Sequence, residues 1–348
     1  MKYLLIDTSN LFFRARHSAH RQSDTWTKLG FALQVTLMSA NKVARKFGAD
    51  HVVFALEGRS WRKDAYKPYK ANRAEARQAL NETEAEEDKL FWETYDELTK
   101  YLSTKTNCSV IRCPTAEADD VIARWIALHP QDEHTIVSSD SDFVQLVAPN
   151  VQLYNGINDH LFTVDGAFDD KGRKLAFEIK SDSKIRVGKA DPNFVVPENY
   201  QKWILFMKCM RGDPGDNVFS AYPGVRVVGT KNKIGLTEAF ADRDKKGYNW
   251  NNMMLQRWTD HNNEEHRVLD DYERNVSLID LTAQPAEIKD AVDLAIVEQV
   301  SHKDVGMVGA HFMKFCGKYE LNKLSEFAEP ISRWLNETYK GVLNDINS

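Results

Sequence analysis

The sequence predicts an α/β fold: a mostly parallel sheet flanked by helices over residues 1–190, then a mainly helical region over 191–348. Two observations predict it. Through residue 160, short runs rich in Val, Ile, Leu and Phe alternate with longer helical patterns, and beyond Pro197 the strand-like runs stop. Nor do the short runs alternate apolar with polar, which suits strands covered on both faces.

The expected strands cover 2–6, 51–56, 109–112, 134–138 and 151–154, and the helical stretches between them cover 27–47, 82–103, 116–128 and 142–146. Residues 159–190 break the rhythm and read as a β-hairpin insertion with turns at Asp165-Gly166 and Asp170-Lys171-Gly172. Further helices are expected at 197–210, 236–242, 265–281, 285–300, 305–316 and 322–343. A chain of 348 residues accommodates two domains, and the change of pattern puts their boundary within 155–200. No internal repeat and no low-complexity tract appears.

No apolar run is long enough for a membrane span, and an aspartate at position 7 leaves no room for a signal peptide's apolar stretch, so a cytoplasmic location is expected. Cys108, Cys113, Cys209 and Cys316 form no C-x-x-C pair and read as reduced, buried thiols. The net charge of −5 alone argues against a nucleic-acid partner, but its distribution reverses that.

Carboxylates recur where strands end. Asp7 closes the first, Glu57 the second, Glu117, Asp119 and Asp120 follow the third, and Asp140 and Asp142 follow the fourth. Asp213 and Asp216 lie in a Gly/Pro loop after the helix at 197–210. Strands of one parallel sheet end on one edge, where ligands bind, so these acids should converge. Each alone is ordinarily a helix cap. Nine together repel one another and call for cations, and with no His or Cys among them they suit Mg²⁺ or Mn²⁺. Two such ions can activate water and stabilise a departing oxyanion. Without these nine acids the rest of the chain carries a net charge of +4.

From Arg59 to Arg73 the chain reads RSWRKDAYKPYKANR. Arg59, Arg62, Lys63, Lys67, Lys70 and Arg73 face one acid, Asp64, with Trp61, Tyr66 and Tyr69 interleaved. A basic run is usually a solvated face. Cations beside aromatic rings, starting two residues after Glu57, also make a single-strand-binding surface. Without nucleic acid, the acids that follow (Glu75, Glu82, Glu84, Glu86, Glu87, Asp88) are expected to pair with this run.

Other motifs fail on inspection. Asp7-Thr8-Ser9 lacks the second aspartate of a haloacid-dehalogenase phosphatase. Gly224 to Gly229 has Walker A spacing, but Thr230 replaces the lysine. Asp140-Ser141-Asp142 lacks the glycine and closing glutamate of an EF-hand. His17, His20, His51 and His160 show no metal spacing.

LLIDTSNLFFRA, WRKDAYKPYKANR, EADDVIA, VSSDSDFVQLV, MRGDPGDN and DDYERNVSLIDL, in this order, resemble the flap endonuclease/5′→3′ exonuclease family. They are most like its phage-encoded stand-alone members, the type called ribonuclease H in T-even bacteriophages. The motifs span about residues 1–280. The resemblance implies a PIN-like fold with a helical arch, here residues 58–90, over the active site. It implies a helix–hairpin–helix-like element in the C-terminal region and two-metal hydrolysis of phosphodiesters near 5′ ends. Asp7, Glu57, Glu117 and Asp119 match the family's first metal site. Asp140, Asp142, Asp213 and Asp216 match its second, and Asp120 an additional acid. Lys70 and Arg73 match arch cations on the scissile phosphate, and Tyr69 an aromatic that stacks on the terminal base. Arg59, Arg62, Lys63 and Lys67 complete the arch's nucleic-acid surface. Lys231 and Lys233, with Lys245 and Lys246 as weaker candidates, would hold downstream duplex.

The implied cofactors are two Mg²⁺, replaceable by Mn²⁺, and K⁺ at the helix–hairpin–helix-like element. The implied substrates are DNA with a 5′ flap, nick or single-stranded 5′ end, and RNA–DNA hybrid. Replication proteins (polymerase, clamp or single-strand-binding protein) are implied partners, and a membrane is not. Two departures stand out. Glu57 replaces the usual aspartate, and in YPGVRVVGTKNKIGL the Gly-x-Lys pattern is displaced by inserted residues. A non-catalytic DNA-junction module and a PIN-type ribonuclease are the alternative readings.

Overall fold

The computed structural model describes residues 1–18, 24–79, 81–180, 182–300, 302 and 304–343, without the side chains of 18, 74 and 76–78. His20, set aside above, lies outside them.

The chain begins β1 (Lys2–Asp7), α1 (Thr8–Ser18), α2 (Thr25–Phe47), β2 (His51–Leu56). Helix α1 was not expected. Asp24 caps α2 by accepting from Thr27 N at 2.9 Å, and Gly48 ends it at φ 59°. Next come α3 (Arg62–Ala65), α4 (Ala71–Gln78), α5 (Glu82–Lys105), β3 (Ser109–Arg112), α6 (Ala118–Leu128), β4 (Glu133–Val137), a 3₁₀ turn (Ser141–Leu146) and β5 (Val151–Asn155). Strand order is β3-β2-β1-β4-β5, all parallel. The order reverses between β1 and β4, so the crevice outside their carboxyl ends is where such a sheet binds ligands.

The hairpins at 159–190 extend this same sheet. β6 (His160–Thr163), β7 (Gly166–Phe168), β8 (Lys174–Ile179) and β9 (Ile185–Ala190) add antiparallel strands outward from β5. Period-two alternation sorts the parallel strands onto two cores. Leu4, Ile6, Val52 and Phe54 pack against α1, α2 and α5 on one face. Tyr3, Leu5, Val53, Ala55 and Ile136 pack against α6 on the other.

The remaining elements are α7 (Tyr200–Arg211), α8 (Leu236–Ala241), α9 (Tyr248–Met254), β10 (Arg257–Thr259), β11 (Glu265–Arg267), α10 (Val268–Ile279), α11 (Ala286–Gln299), α12 (Val308–Lys318), α13 (Asn322–Ser325) and α14 (Ala328–Leu335). Residues of α7 to α10 form a core of their own around Phe206, Met210, Leu236 and Trp250. By contrast, α11 packs on the α6 face and α12 to α14 on the α2 face, so the tail returns to the first 190 residues.

Two expected helices are corrected. Residues 265–267 pair with 257–259 as a hairpin before α10 begins. The helix expected over 322–343 breaks into α13, α14 and an extended tail; Pro330, in the first turn of α14, lacks the N–H that would carry α13 on into α14. The four cysteines are free and buried, as expected. Among the described residues no helix is long and apolar enough to cross a membrane.

Candidate active site

The carboxyl ends of β1, β2 and β4 and the start of α6 bring the acids together. Asp7 ends β1 and is 8% exposed. Its Oδ2 accepts from Ser138 Oγ at 3.0 Å and its Oδ1 from the Asn10 amide at 3.1 Å. Burial first, then the charge of Glu57, pushes Asp7 up to about 7. Glu57 accepts from Ser9 Oγ at 3.0 Å and from the Ala118 amide at 3.2 Å, and burial and Glu117 raise it too. Gly58 lets the exit of β2 run against the 113–116 loop: a Cβ there would meet Cys113 O at 1.9 Å. That close approach sets Glu57 beside the start of α6.

Glu117 is held by four donors. Ser60 Oγ lies at 2.7 Å, Arg62 Nη1 at 3.0 Å and Tyr69 Oη at 3.0 Å from Oε2, and Lys70 Nζ lies 2.5 Å from Oε1. Burial would raise its carboxyl, but Lys70 and Arg62 outweigh burial and hold it at about 2. Asp119, taken out of water and facing Asp120 and Glu117, is pushed well up despite Arg62. Glu117, Asp119 and Asp120 offer oxygens within 4.8 Å of one another.

Asp120, expected among the ligands, has both oxygens engaged below the pocket. Arg62 donates to them through Nη1 and Nη2 at 2.8 Å each, and Trp61 Nε1 and the Glu117 amide also donate to Oδ2. Arg62, expected on the nucleic-acid surface, is 1% exposed, so its guanidinium meets carboxylates and not solvent. A buried guanidinium matched bidentately to a carboxylate fixes the geometry of the acids around it. Tyr69, expected to stack on a base, is also buried, with its hydroxyl 3.0 Å from both Glu117 and Asp216.

The second group is more open. Asp140 caps the 3₁₀ turn by accepting from the Asp142 amide at 2.9 Å. Asp213 sits in a tight turn that needs Gly212 at φ 76°, where a Cβ would meet Val218 O at 2.2 Å. Lys208 donates to Asp142 and, at 2.9 Å, to Asp213. Burial and Asp140 push Asp142 up to about 7, whereas Lys208 overcomes burial at Asp213 and lowers it. Asp216, expected with this group, faces Lys70 at 3.6 Å and Arg73 at 2.6 Å. It also lines one cavity of about 400 Å³ together with Arg73, Asp140, Asp142, Lys208 and Asp213.

The basic segment is pinned over this cavity. Lys70, at φ 52°, donates its amide to Asp216 O at 2.8 Å, and Asn217 Nδ2 donates to Pro68 O at 2.8 Å. Arg59, Lys63 and Lys67 are exposed, with Arg59 on Asp64. Glu87 and Asp88 do not pair with this run. They bind Lys28 and Arg16 on the opposite side, because α5 packs against α1 and α2. Lys231, Lys233, Lys245 and Lys246 are exposed and lie on the segments between α7 and α9. In the helix–hairpin–helix-like element, the Gly229 and Gly235 amides turn to the Glu238 carboxylate at about 3 Å.

Sequence reasoning missed Lys208, Ser9 and Ser138. The signal for Lys208 is its place five residues before Asp213, on the last turn of α7, whose end aims at that loop. A set of oxygen-only donors, with four carboxyls (Asp7, Glu57, Asp119 and Asp142) raised and lysine ammonium groups filling the gaps between others, fits hard divalent cations.

Residues 2–172 match the model of the 5′–3′ exonuclease N-terminal resolvase-like domain. The chain is 26% identical over 243 residues to flap endonuclease Xni of Shewanella loihica, covering 69% of this chain and 77% of that one. It is 28% identical over 195 residues to DNA polymerase I of Rhizobium leguminosarum, covering 56% of this chain but 15% of the polymerase. In fold it is similar to the D15 flap endonuclease of bacteriophage T5, solved as a pseudo-enzyme-product complex with DNA and metal ions. That likeness has TM-score 0.56 and 17% identity, and covers 96% of this chain and all of that one. The order of the motifs, the family model and these relatives agree: residues 2–172 belong to the 5′–3′ exonuclease N-terminal domain family, and the chain is similar in sequence to flap endonucleases and in fold to the phage enzyme.

Proposed function

We propose that the chain is a structure-specific 5′ nuclease that hydrolyses phosphodiesters near the 5′ ends of DNA or RNA–DNA, removing flaps or RNA primers during phage replication. The observation that carries this is the convergence of acids from β1, β2, α6, β4 and the 212–217 loop under a pinned basic segment. Asp7, Glu57, Glu117 and Asp119 would hold one Mg²⁺ or Mn²⁺, and Asp140, Asp142 and Asp213, with Asp216 at the rim, a second. Bound there, the pair would supply activated water and charge stabilisation at phosphorus and the leaving oxygen. K⁺ at the helix–hairpin–helix-like element belongs to the same proposal.

The chain's own residues do the rest. Lys70 and Arg73 reach the cavity from above and lend positive charge to a phosphate seated against the acids. Arg62 fixes Glu117 and Asp120. Ser9 and Ser138 orient Glu57 and Asp7. The exposed cations Arg59, Lys63 and Lys67 meet a single-stranded 5′ end, which selects structure and not sequence. Lys231 and Lys233 hold duplex beyond the cut.

Incubating 5′-labelled flap, nicked and RNA-primed substrates with Mg²⁺ and mapping product lengths tests this. Short products released from 5′ ends are expected. Binding without any cleavage would instead support a junction-binding module, and cleavage of RNA alone a ribonuclease.

A further inference from the structure

The hairpin β8–β9 lies beyond the residues that the family model matches, and nothing above gives it a role. From 171 to 190 it carries seven Lys or Arg against two acids. β9 is an edge strand of the sheet, with its outer edge unpaired among the described residues. We infer that β9 and the turn before it form a rail for the phosphodiester backbone of the substrate as it leaves the acid cavity. This rests on the nuclease reading.

Register arranges the cations. Ile185, Val187 and Ala190 pair with Ile179, Phe177 and Leu175, with an irregularity between Leu175 and Phe177. Three residues of β9 therefore span two of β8 at that point. The extra residue re-phases the strand, so Lys189 falls on the same outward face as Lys184 and Arg186. Without the bulge, Lys189 would turn inward with Val187. The inner residues fix the strand: Ile185 and Val187 line a small cavity with Leu153 and Phe162.

These three cations are exposed, and among the described residues no carboxylate oxygen lies within 4.0 Å of their charged side-chain nitrogens. Their neighbours are already neutralised, Lys180 on Glu178 and Arg173 on Asp169. The row begins at the chemistry, since Lys184 lines the cavity that holds Asp140, Asp142 and Asp213. Asp182 lines it too, and accepts from the Lys184 amide at 3.2 Å. From Lys184 to Lys189 a strand covers about 17 Å, the length of about five nucleotide steps along one strand of B-form duplex. An acid cavity repels a polyanion, so attraction must come from cations at its rim, and here they form a line. Lysines on an edge strand also deter edge-to-edge pairing. That alone explains neither the shared face nor the start inside the cavity.

The test compares full-length wild type with Lys184→Ala/Arg186→Ala/Lys189→Ala. Cleavage of a 5′-flap DNA with a long duplex, and of a short single-stranded oligonucleotide, is followed in Mg²⁺ across a salt series. The variant should raise KM on the flap about tenfold or more. Its slope of log(kcat/KM) against log salt should become shallower by about 2 to 3, close to one for each phosphate no longer neutralised. A change confined to the flap assigns the rail to duplex, and one shared with the oligonucleotide assigns it to single strand. Unchanged KM and slope overturn the inference, as does a variant that self-associates on a sizing column with its slope intact. Matching circular dichroism melts establish folding. If wild type cleaves nothing, the nuclease reading fails, and anisotropy with the same flap still decides the rail by the same salt slopes.

Discussion

The same parallel strands end in opposite chemistry. At their carboxyl ends, acids crowd together: some are matched by cations, Glu117 by Lys70 and Arg62 and Asp213 by Lys208, while Asp7 and Asp142 are pushed up to about 7. At their amino ends, ionisable groups are buried neutral. His51 and His134 start near the tips of β2 and β4, and Tyr3, Trp125, His129 and Tyr339 enclose them. His51 Nδ1 donates to Glu337 O at 3.0 Å, which leaves Nε2 to accept from Ser109 Oγ at 2.8 Å. His129 Nδ1 donates to Trp125 O, leaving Nε2 to accept from Tyr339 Oη at 2.7 Å. One end carries unspent electrostatic strain among its acids. The other is a buried, mostly hydrogen-bonded polar cluster, with His134 Nδ1 and Trp125 Nε1 left without a partner, that pins the tail across the sheet. Strain in pKa marks chemistry only where the groups also converge on open space.

If the carboxyl end is the reactive one, the largest effect comes from emptying it of charge. Asp140→Asn with Asp142→Asn should abolish Mg²⁺-dependent cleavage while flap binding by anisotropy persists, and residual turnover would break the assignment. Next is the matched pair beneath. Arg62→Met leaves Asp120 and Glu117 buried without their guanidinium, and should destabilise the fold by about 3–5 kcal/mol in urea titrations. A loss below about 1 kcal/mol would mean that the acids there are already protonated. Lys70→Ala should lower kcat by about 10²-fold, the usual worth of one electrostatic donor. A change confined to KM would make Lys70 a ground-state contact.

The two ends were not equally legible in the sequence. The carboxyl end announces itself because several of its acids stand at or just after strand ends, so Asp7, Glu57 and Asp140 are placed by strand boundaries alone. What stayed hidden was pairing. A linear run of cations does not say that Arg62 turns inward while Lys63 turns out, since that depends on a four-residue helix, α3, over the acids. Lys208 was hidden because it belongs to a helix read only for its apolar face. The amino end left no trace, because His51, His129, His134 and Tyr339 come from separate elements with no common spacing. The tail read as one helix, because an apolar period cannot show that the residues after Leu335 run extended to seat Tyr339 on Tyr3.

The smallest effect separates the ends by pH. Burial holds His51 and His134 down at about 4 each, against an ordinary value near 6.5. Between those limits the unfolded chain binds more protons than the folded one, so stability rises with pH across that window and is lost on acidification through it. Each histidine contributes at most about 3 kcal/mol this way. Asp7 and Asp142, raised to about 7, act in the opposite sense: their contribution is present at low pH and fades as pH rises toward 7. In chelator the two ends therefore partly cancel. Saturating Mg²⁺ holds the acids ionised and removes the opposing slope. Thermal melts from pH 7 to pH 4.5 should then show a steeper loss of Tm with Mg²⁺ than with chelator, and His51→Gln should flatten both curves by a similar amount. If the variant flattens only the Mg²⁺ curve, His51 is coupled to the acids through the sheet, and the two ends are one titrating system.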